Sequence, residues 1–391
     1  MISLHNIPAA NSAPLAVRVL VIGVGGAGGV MVEQLAAAGH IQAAFLAVDT
    51  DTQALQRHGL AAKLVVGEKL TRGLGCGGDA GLARRCIESS RKQLAKHLEG
   101  ADVVLLLAGL GGGMGTGGAA ALAEMAGEER ALALAMVALP FDFEGLRAEQ
   151  AQAGLEKLQA AADTVICFPN QLVIDLQREE RSARETFQAA NEIILQGVRA
   201  VGRLLRADGV INVGLADLRV SLKGRRTTSV LAHVEAGGET RHHDLLNKLL
   251  AQPVLESGQT LKMAEALVVS LVGGPELSAT EIDRLAKQLS AHCPGAKLML
   301  GAAVDDACQG RLSLTVIASR PLLPTPTTAA VSEPKHAGKN SAARQRTALV
   351  QQQQLALESV SKGRFEKAER TLHHGEDLDV PTYIRRNVAL S

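Results

Sequence analysis

The first half of the chain alternates between short apolar runs and segments with helical periodicity. The apolar runs are continuous, such as VRVLVIGV and ADVVLLLA, and continuous runs are typical of strands that are buried on both faces of a parallel sheet. The segments between them, such as VMVEQLAAAG and GGAAALAEMAG, repeat apolar residues at helical spacing. Strands are predicted at 17–24, 40–50, 101–108, 131–139 and 164–168. This alternation predicts an α/β domain with a parallel sheet.

A long helical pattern follows this domain over roughly 179–206. Its candidate buried residues are Phe187, Ile193, Ile194, Val198 and Leu205. Beyond it, a second unit from about 225 to 320 combines apolar runs with two further helical patterns. The hydrophobic pattern therefore predicts a parallel-sheet domain that is joined by a long central helix to a smaller mixed α/β domain.

The two ends of the chain differ from these units in composition. Residues 1–16 lack the basic start and the long apolar stretch of a signal peptide. The stretch 321–345 is rich in Pro, Ala, Thr and Ser, which is typical of a disordered linker. The tail, 346–391, ends in GEDLDVPTYIRRNVALS, which is denser in apolar residues than a spacer needs.

Overall composition narrows the possible functions. The formal net charge is +1, which argues against a general nucleic-acid or anionic-membrane surface. The chain has no tryptophan and one tyrosine, so base stacking on aromatic residues is poorly supported. No run approaches the roughly 18 apolar residues of a membrane span. The five scattered cysteines form no CxxC pair and fit reduced cytosolic thiols. We expect a cytoplasmic protein with no nucleic-acid partner, no direct membrane insertion and no metal held by its own side chains.

Three glycine-rich loops in the first domain carry the candidate chemistry. They are GVGGAGG (23–29), GLGCGGDAG (73–81) and GGGMGTGG (111–118). Glycine lets backbone N–H groups approach an anion without a β-carbon in the way, and a following helix adds further donors. Three such loops on one sheet predict a polyphosphate along its carboxyl edge.

Two nucleotide-binding folds compete for this pattern. The first loop contains GxGxxG, and Asp49 ends the second strand at the distance that a dinucleotide-binding Rossmann enzyme uses for its ribose-binding acid. A dinucleotide needs only one such loop, however, and the third loop is as long as the first. The Walker spacing GxxxxGK[ST] is also absent, which excludes an ordinary P-loop NTPase.

The third loop resembles the tubulin signature GGGTGTG, and other motifs extend this resemblance. VIGVGGAGG, AVDTDTQAL, TRGLGCGGDAG, AGLGGGMGTGGAA, PFDFEG, FPNQ, FQAANEI and INVGLADL occur in the order found in FtsZ, the bacterial tubulin-like division GTPase. The resemblance covers about 17–320. The ending GEDLDVPTYIRR also looks like the FtsZ C-terminal recognition peptide.

The resemblance implies a nucleotide site in which the glycine loops hold the phosphates of GTP or GDP with Mg²⁺. The Thr116 hydroxyl would donate a hydrogen bond to a phosphate, and Glu144 would hold the ribose. Phe187 and Asn191 lie four apart on the central helix and so share a face, where they would stack on guanine and read its edge. The implied contacts are Gly25, Gly26, Ala27, Gly28, Gly29, Asp49, Gly75, Gly77, Gly111, Gly112, Gly113, Gly115, Thr116, Gly117, Glu144, Arg147, Asn170, Phe187 and Asn191.

Catalysis in FtsZ takes place between subunits, because a loop of the next subunit brings acidic side chains to the γ-phosphate. The matching stretch here is NVGLADL, with Asn212 and Asp217 as the implied catalytic residues. The family pattern N-x-D-x-x-D has lost its first acid, which is Gly214 in this chain. Ordinary helix capping is an alternative role for Asp217.

Four departures from the family motifs concern the nucleotide itself. Val30 stands in place of an Asn, Met114 in place of a Thr, Asp49 in place of an Asn, and Ala148 in place of a phosphate-contacting Arg. Arg147 is one residue away and could substitute for that Arg. We therefore expect weaker GTP binding and slower turnover.

The resemblance divides the chain into seven parts. They are a disordered N-terminus (1–16), a GTP-binding domain (17–178), a central helix (179–206), a catalytic synergy loop and following helix (207–224), a C-terminal activation domain (225–320), a disordered linker (321–345) and a tail with a partner-binding peptide (346–391). The implied peptide residues are Leu378, Val380, Pro381, Tyr383, Ile384, Arg385 and Arg386.

The function that the resemblance implies is a slow GTPase that polymerises head to tail into the division ring in the cytoplasm. Its partners would be other copies of itself and, through the tail, membrane-anchoring division proteins. A paralogue that assembles with nucleotide but serves a structural role is the alternative, followed by an NAD-dependent Rossmann enzyme.

Overall fold

The computed structural model describes residues 17–39, 41–176, 181–206, 209–222, 227–321, 372–373 and 376–377. Residues 1–327 belong to one compact unit and residues 328–391 to a second. The predicted disordered N-terminus, the linker beyond 321 and the tail peptide Leu378–Arg386 lie outside the described residues.

Ten strands of the first unit form one sheet. They are β1 (Val19–Val24), β2 (Ala44–Asp49), β3 (Lys63–Val65), β4 (Val103–Gly109), β5 (Leu132–Leu139), β6 (Thr164–Pro169), β7 (Thr227–Gly237), β8 (Ala266–Gly273), β9 (Lys297–Val304) and β10 (Arg311–Pro321). In the second unit, β11 (Leu372–His373) and β12 (Glu376–Asp377) pair with each other in antiparallel orientation.

The strand order of the sheet is β3-β2-β1-β4-β5-β6-β7-β10-β8-β9. Strands β3 to β7 are parallel, whereas β10 runs antiparallel to both β7 and β8. Chain order reverses between β1 and β4, and ligands of open parallel sheets bind at the carboxyl ends of the strands at such a switch point. A ligand-binding site is therefore expected at the carboxyl ends of β1 and β4.

The helices cover this sheet. They are α1 (Gly25–Ala38), α2 (Thr52–Arg57), α3 (Glu68–Thr71), α4 (Ala80–Ser89), α5 (Arg91–Leu98), α6 (Ala119–Glu128), α7 (Arg147–Ala161), α8 (Gln171–Asp175), α9 (Ala183–Leu204), α10 (Leu215–Leu222), α11 (Arg241–Leu250), α12 (Gln259–Lys262) and α13 (Ala279–His292). Among the described residues, none of these helices is long and apolar enough to cross a membrane.

Alternate residues of the parallel strands face two different cores. In β1, Ile22 packs into a core that α4, α5, α6 and α7 cover, whereas Val21 packs into a core that α1, α9 and α10 cover. Both side chains are fully buried. A third core lies under α11, α12 and α13. This two-sided burial explains why the strands are continuous apolar runs in the sequence.

The two halves of the sheet meet at a narrow join. Only two residue pairs connect β6 to β7, Val165 with Thr228 and Ile166 with Ser229. The helix α9 lies within the predicted span 179–206, and it buries Ile194 and Val198 as its apolar pattern predicts. The prediction that Phe187 is a buried position is wrong, because 43% of this residue is exposed.

An ion-pair network surrounds a buried arginine in the second half of the sheet. Arg241 at the start of α11 is 8% exposed and donates to Glu281 over 2.8 Å and to Glu276 over 2.6 Å. The hydrogen bonds from Arg241 lower the pKa of Glu281 to about 2. Because the pKa of Glu281 is depressed in the folded state, its stabilising contribution is present above the ordinary glutamate range and is lost as the pH falls toward 2.

Replacing Arg241 by methionine should lower the free energy of unfolding by about 1.5–3 kcal/mol near neutral pH, the value of hydrogen bonds to a charged group. Urea unfolding of both proteins should show this difference shrinking as the pH falls from 5 toward 2. Lys287→Met is the matched control, because Lys287 pairs with Asp283 at the exposed surface and should contribute little. A difference that stays constant with pH would show that Arg241 acts through packing alone.

Candidate nucleotide site

The first and third glycine loops lie against each other at the switch point between β1 and β4. A β-carbon added to Gly25 would lie 3.0 Å from the β-carbon of Met114, and one on Gly109 would lie 2.9 Å from that of Ala27. Gly25 has φ 73°, in the left-handed region that glycine adopts without strain. The two loops therefore form one continuous backbone surface.

The second glycine loop joins this surface from the side of β2. A β-carbon on Gly113 would lie 2.5 Å from the sulfur of Cys76, so the second and third loops are in contact. The amide of Gly75 also donates to the carbonyl of Thr50 over 3.2 Å. All three glycine loops thus meet at the carboxyl edge of the sheet, where the sequence predicts a polyphosphate.

Each glycine loop leads directly into a helix. α1 begins at Gly25, inside the first loop, five residues before the predicted helix starts. α4 begins at Ala80, where the Asp79 side chain accepts a hydrogen bond from the Leu82 amide. A π-helical turn, Met114–Gly118, precedes α6. Helix N-termini, which favour anions, therefore lie at this edge of the sheet.

The predicted phosphate-binding glycines divide into two groups. A β-carbon on Gly26 or Gly112 would meet nothing within 4 Å, so these two residues border open space. A β-carbon on Gly28 or Gly115 would instead lie 2.2 Å and 2.0 Å from backbone oxygens. The first pair leaves room for a ligand, whereas the second pair permits the close packing that shapes the loops.

Thr116 and Met114 both point into the protein. Thr116 is 3% exposed, and its hydroxyl oxygen accepts a hydrogen bond from the Gly111 amide over 2.9 Å. Met114 is 4% exposed and belongs to the core beneath α6. The structure thus gives Thr116 a role within the third loop itself. The threonine-to-methionine departure from the family motif places an apolar side chain in the core.

Glu144 and Arg147 lie together beside the third loop. The Glu144 carboxylate accepts hydrogen bonds from the Phe141 amide over 3.0 Å and from the Arg147 guanidinium over 2.6 Å. A β-carbon on Gly111 would lie 2.9 Å from the β-carbon of Arg147. The predicted ribose-binding acid and the candidate phosphate-binding arginine are therefore adjacent, at the N-terminus of α7.

Aromatic residues cluster just before Glu144 and at the start of α9. Phe187 packs edge-on against Phe141 with ring centroids 4.9 Å apart, and Phe141 stacks on Phe143 at 5.1 Å. Asn191 follows Phe187 by one helical turn and is half-buried. Asn170 is 7% exposed, and its side-chain oxygen is buried without a hydrogen-bond partner among the described residues. Aromatic rings and side-chain amides are the groups that bind a ring with polar edges.

Asp49 is turned toward its own loop. It is 8% exposed, and its carboxylate accepts hydrogen bonds from the amides of Thr50 over 2.6 Å and Asp51 over 3.3 Å. Burial raises the pKa of Asp49, although these amides act in the opposite direction. All of these bonds reach the same carboxylate oxygen, Oδ1, so Asp49 holds its own loop through one of its two oxygens.

The loop with the implied catalytic residues lies at the opposite edge of the sheet. Arg219 on α10 donates to the carbonyls of Asp102 and Arg130 over 3.2 Å and 3.1 Å, and these residues lie just before the amino ends of β4 and β5. Asp217 is exposed in the first turn of α10, and Asn212 accepts a hydrogen bond from the Gly209 amide over 2.8 Å. The acid loop and the glycine loops of one molecule are therefore separated by the length of the strands.

Two family models match the chain. Residues 18–177 match the GTPase domain of the tubulin/FtsZ family, and residues 228–320 match the C-terminal domain of the FtsZ family.

The chain belongs to the tubulin/FtsZ family.

Solved structures of this family are similar over most of the chain. An empty FtsZ dimer from M. jannaschii is 29% identical, with a TM-score of 0.72, over 78% of this chain and 88% of that chain. CetZ2 from Haloferax volcanii, in a protofilament with GTPγS bound, is 26% identical, with a TM-score of 0.63, over 77% of this chain and 92% of that chain. The predicted tubulin/FtsZ fold is confirmed, and the GTPase domain implies GTP or GDP as the ligand.

Sequence reasoning missed three residues that shape this tubulin/FtsZ site. Phe141 supports Phe187, Gln150 donates to the carbonyl of Gly78 in the second loop, and Arg219 positions α10. Only Phe141 lies in a quoted motif. Among the described residues, no group of three or more His, Cys, Asp or Glu side chains could hold a metal ion.

Proposed function

We propose that this protein binds GTP at the carboxyl edge of its sheet and hydrolyses it slowly between successive subunits of a head-to-tail filament. The observation that carries this proposal is the placement of the glycine loops and Asp217 at opposite edges of one sheet. A second copy that sets its Asp217 edge on the first copy's glycine loops would complete the site.

The length of the central helix supports the separation between the glycine loops and the loop that carries Asp217. α9 has 22 residues, which corresponds to about 33 Å at 1.5 Å per residue. Its first turns carry Phe187 beside the aromatic cluster, and its last turns carry Gly202, which packs against Ile41 just before the amino end of β2. An acid that follows the end of this helix cannot reach the γ-phosphate of its own subunit.

Hydrolysis of GTP in this arrangement needs few protein side chains. The exposed Asp217 carboxylate of one subunit would orient and polarise a water for attack on the γ-phosphate bound by the next. Mg²⁺ would be held by the phosphates and water, where it neutralises charge that develops on the phosphate oxygens. Gly214 removes a second acid from the loop, so turnover is slow.

Guanine selectivity would come from Asn191, because an amide presents both a donor and an acceptor to the base edge. Replacing Asn191 by alanine should weaken GTP binding by about 1–3 kcal/mol, the cost of an unpaired buried polar group. Competition between GTP and ATP for the parent and the variant measures this. Gln188→Ala is the matched control, since Gln188 is an exposed amide on the same helix. Equal affinity of the parent for ATP and GTP would contradict this reading.

A nucleotide-dependent structural paralogue is the second candidate. It is favoured by the departures at the site, since Val30 and Met114 replace polar residues and Ala148 is an exposed alanine where a phosphate-binding Arg is expected. Arg147 lies beside Gly111, however, and can supply that charge. The two candidates differ in the rate of phosphate release once filaments have formed.

The cellular role that we propose is assembly of the division ring in the cytoplasm, with 17–178 and 225–320 as the two folded domains. The tail peptide from Leu378 to Arg386 would bind a membrane-anchoring division protein. If deletion of 376–391 left both localisation and anchor binding unchanged, this part of the proposal would fail.

The proposed function is tested by sedimentation and phosphate release with GTP over a range of protein concentrations. The protein should pellet with GTP and not with ATP. Phosphate release should rise more steeply than linearly with protein concentration and vanish below an assembly threshold. A rate that is strictly proportional to protein concentration would mean that each monomer is a complete enzyme.

A further inference from the structure

A second cavity lies far from the glycine loops. It has a volume of about 570 Å³ and lies between the last turns of α9, the connection from α1 to β2, and the segment that follows β9. Residues that line it include Gly39, Gln42, Gln196, Arg199, Arg203 and Asp305. This volume is within the range of small-molecule sites, about 300–1,000 Å³.

The cavity contains an unsatisfied guanidinium. Arg203 is half-buried, and its Nε atom is buried without a hydrogen-bond partner. Within the part of the chain that the structure describes, the Arg203 side chain has no hydrogen bond or ion pair. Burial lowers the pKa of Arg203, and the charge of Arg199 acts in the same direction. Burying a charged group without a partner is costly, so a partner from solution is expected.

The neighbouring charges leave Arg203 as the available donor. Arg199 lies one turn earlier on the same face of α9 and pairs with Glu192, although its own Nε is also buried without a partner. Asp305 lines the cavity and attracts Arg203, but no ion pair joins them. Three arginines, Arg199, Arg203 and Arg206, therefore line the cavity, and Glu192 already pairs with the first of them.

We propose that this cavity binds a small oxyanion, either a phosphate ester or a carboxylate, through the guanidinium of Arg203. The planar guanidinium of arginine matches two oxygens of either group. Gln196 lies on the same wall, where its amide nitrogen donates one N–H to Glu192 over 2.8 Å and has a second N–H to offer. This site is separate from the nucleotide site, because Arg203 and Phe187 lie at opposite ends of α9. A bound anion would lie among the three segments that line the cavity.

The test uses the full chain saturated with GDP, so that the glycine loops are occupied. Inorganic phosphate and citrate are titrated separately at constant ionic strength held with KCl, and binding is followed by calorimetry and by the thermal unfolding midpoint. The parent should bind at least one probe above the KCl control. Phosphate binding alone would assign phosphate esters, citrate binding alone would assign carboxylates, and binding of both would assign oxyanions generally.

Substitutions of single residues test whether the probe anion binds in this cavity. Arg203→Gln should weaken probe binding at least tenfold, whereas Arg84→Gln, which changes an exposed ion-paired arginine, should leave it unchanged. Glu192→Gln should strengthen binding several-fold, because it frees the Arg199 guanidinium, and this variant decides the matter if Arg203→Gln fails to fold. Absence of binding to the parent, parental affinity in Arg203→Gln, or weaker binding in Glu192→Gln would each overturn the proposal.

Discussion

Replacing Asp217 by alanine should lower GTP turnover by about 10²–10⁴-fold, the usual contribution of a positioned acid or base, while filaments still form with GTP. Asp217 is exposed in the first turn of α10, at the edge of the sheet opposite the glycine loops. Nucleotide binding and water activation therefore use different faces of the subunit. Phosphate release and pelleting of the variant measure the two properties separately.

A control variant must separate a catalytic role of Asp217 from the stabilising effect of an acid in the first turn of a helix. Asp244→Ala removes another acid from a first helical turn, on α11, and should leave turnover unchanged. Gly214→Asp restores the second acid of the loop and should speed hydrolysis. Gly214 has no left-handed φ, and its added β-carbon would lie 3.2 Å from a flexible Asp217 oxygen. Parental turnover in Asp217→Ala would show that this loop is not the catalytic one.

Replacing Gly112 by aspartate should abolish GTP binding without unfolding the protein. A β-carbon at Gly112 would meet nothing within 4 Å, so the carboxylate would point into the space that we assign to phosphate. Two like charges about 4 Å apart repel by about 4 kcal/mol at an effective dielectric constant of 20, which corresponds to about a thousand-fold loss of affinity. Equilibrium binding of a fluorescent GTP analogue measures this loss.

The matched control is Gly295→Asp, which also adds a carboxylate at an exposed glycine with open space around it. It lies outside the GTPase half of the chain and should leave GTP affinity unchanged. Thermal unfolding of both variants in the absence of nucleotide should resemble that of the parent. If Gly112→Asp bound GTP with the affinity of the parent, the assignment of a phosphate site to this loop would be wrong.

The strands of the GTPase half could be read from the sequence because both of their faces are buried. Continuous apolar runs therefore marked β1, β4, β5 and β6, whereas the short β3 has no comparable run and was missed. The start of α1 was also missed. Glycine is a poor helix former, yet Gly28 is required in this helix because a β-carbon there would lie 2.2 Å from the carbonyl oxygen of Leu107.

The candidate site was less predictable than the fold, because its details depend on contacts between distant segments. The motif order indicated the loops, but no pattern showed that the Thr116 hydroxyl holds the Gly111 amide within the third loop. The unpartnered oxygen of Asn170 and the attachment of Arg219 to two carbonyls likewise depend on tertiary packing. Residue identity predicts what a side chain can do, and packing decides which group it meets.

The most direct test of a site shared between subunits is a mixing experiment with the two inactive variants. Asp217→Ala retains the phosphate-binding loops, and Gly112→Asp retains the acid loop. Alone, each should release almost no phosphate from GTP. Mixed, they should recover activity, because an Asp217→Ala subunit holding GTP can contact the intact acid loop of a Gly112→Asp subunit. A mixture that stays as inactive as its components would contradict hydrolysis between subunits.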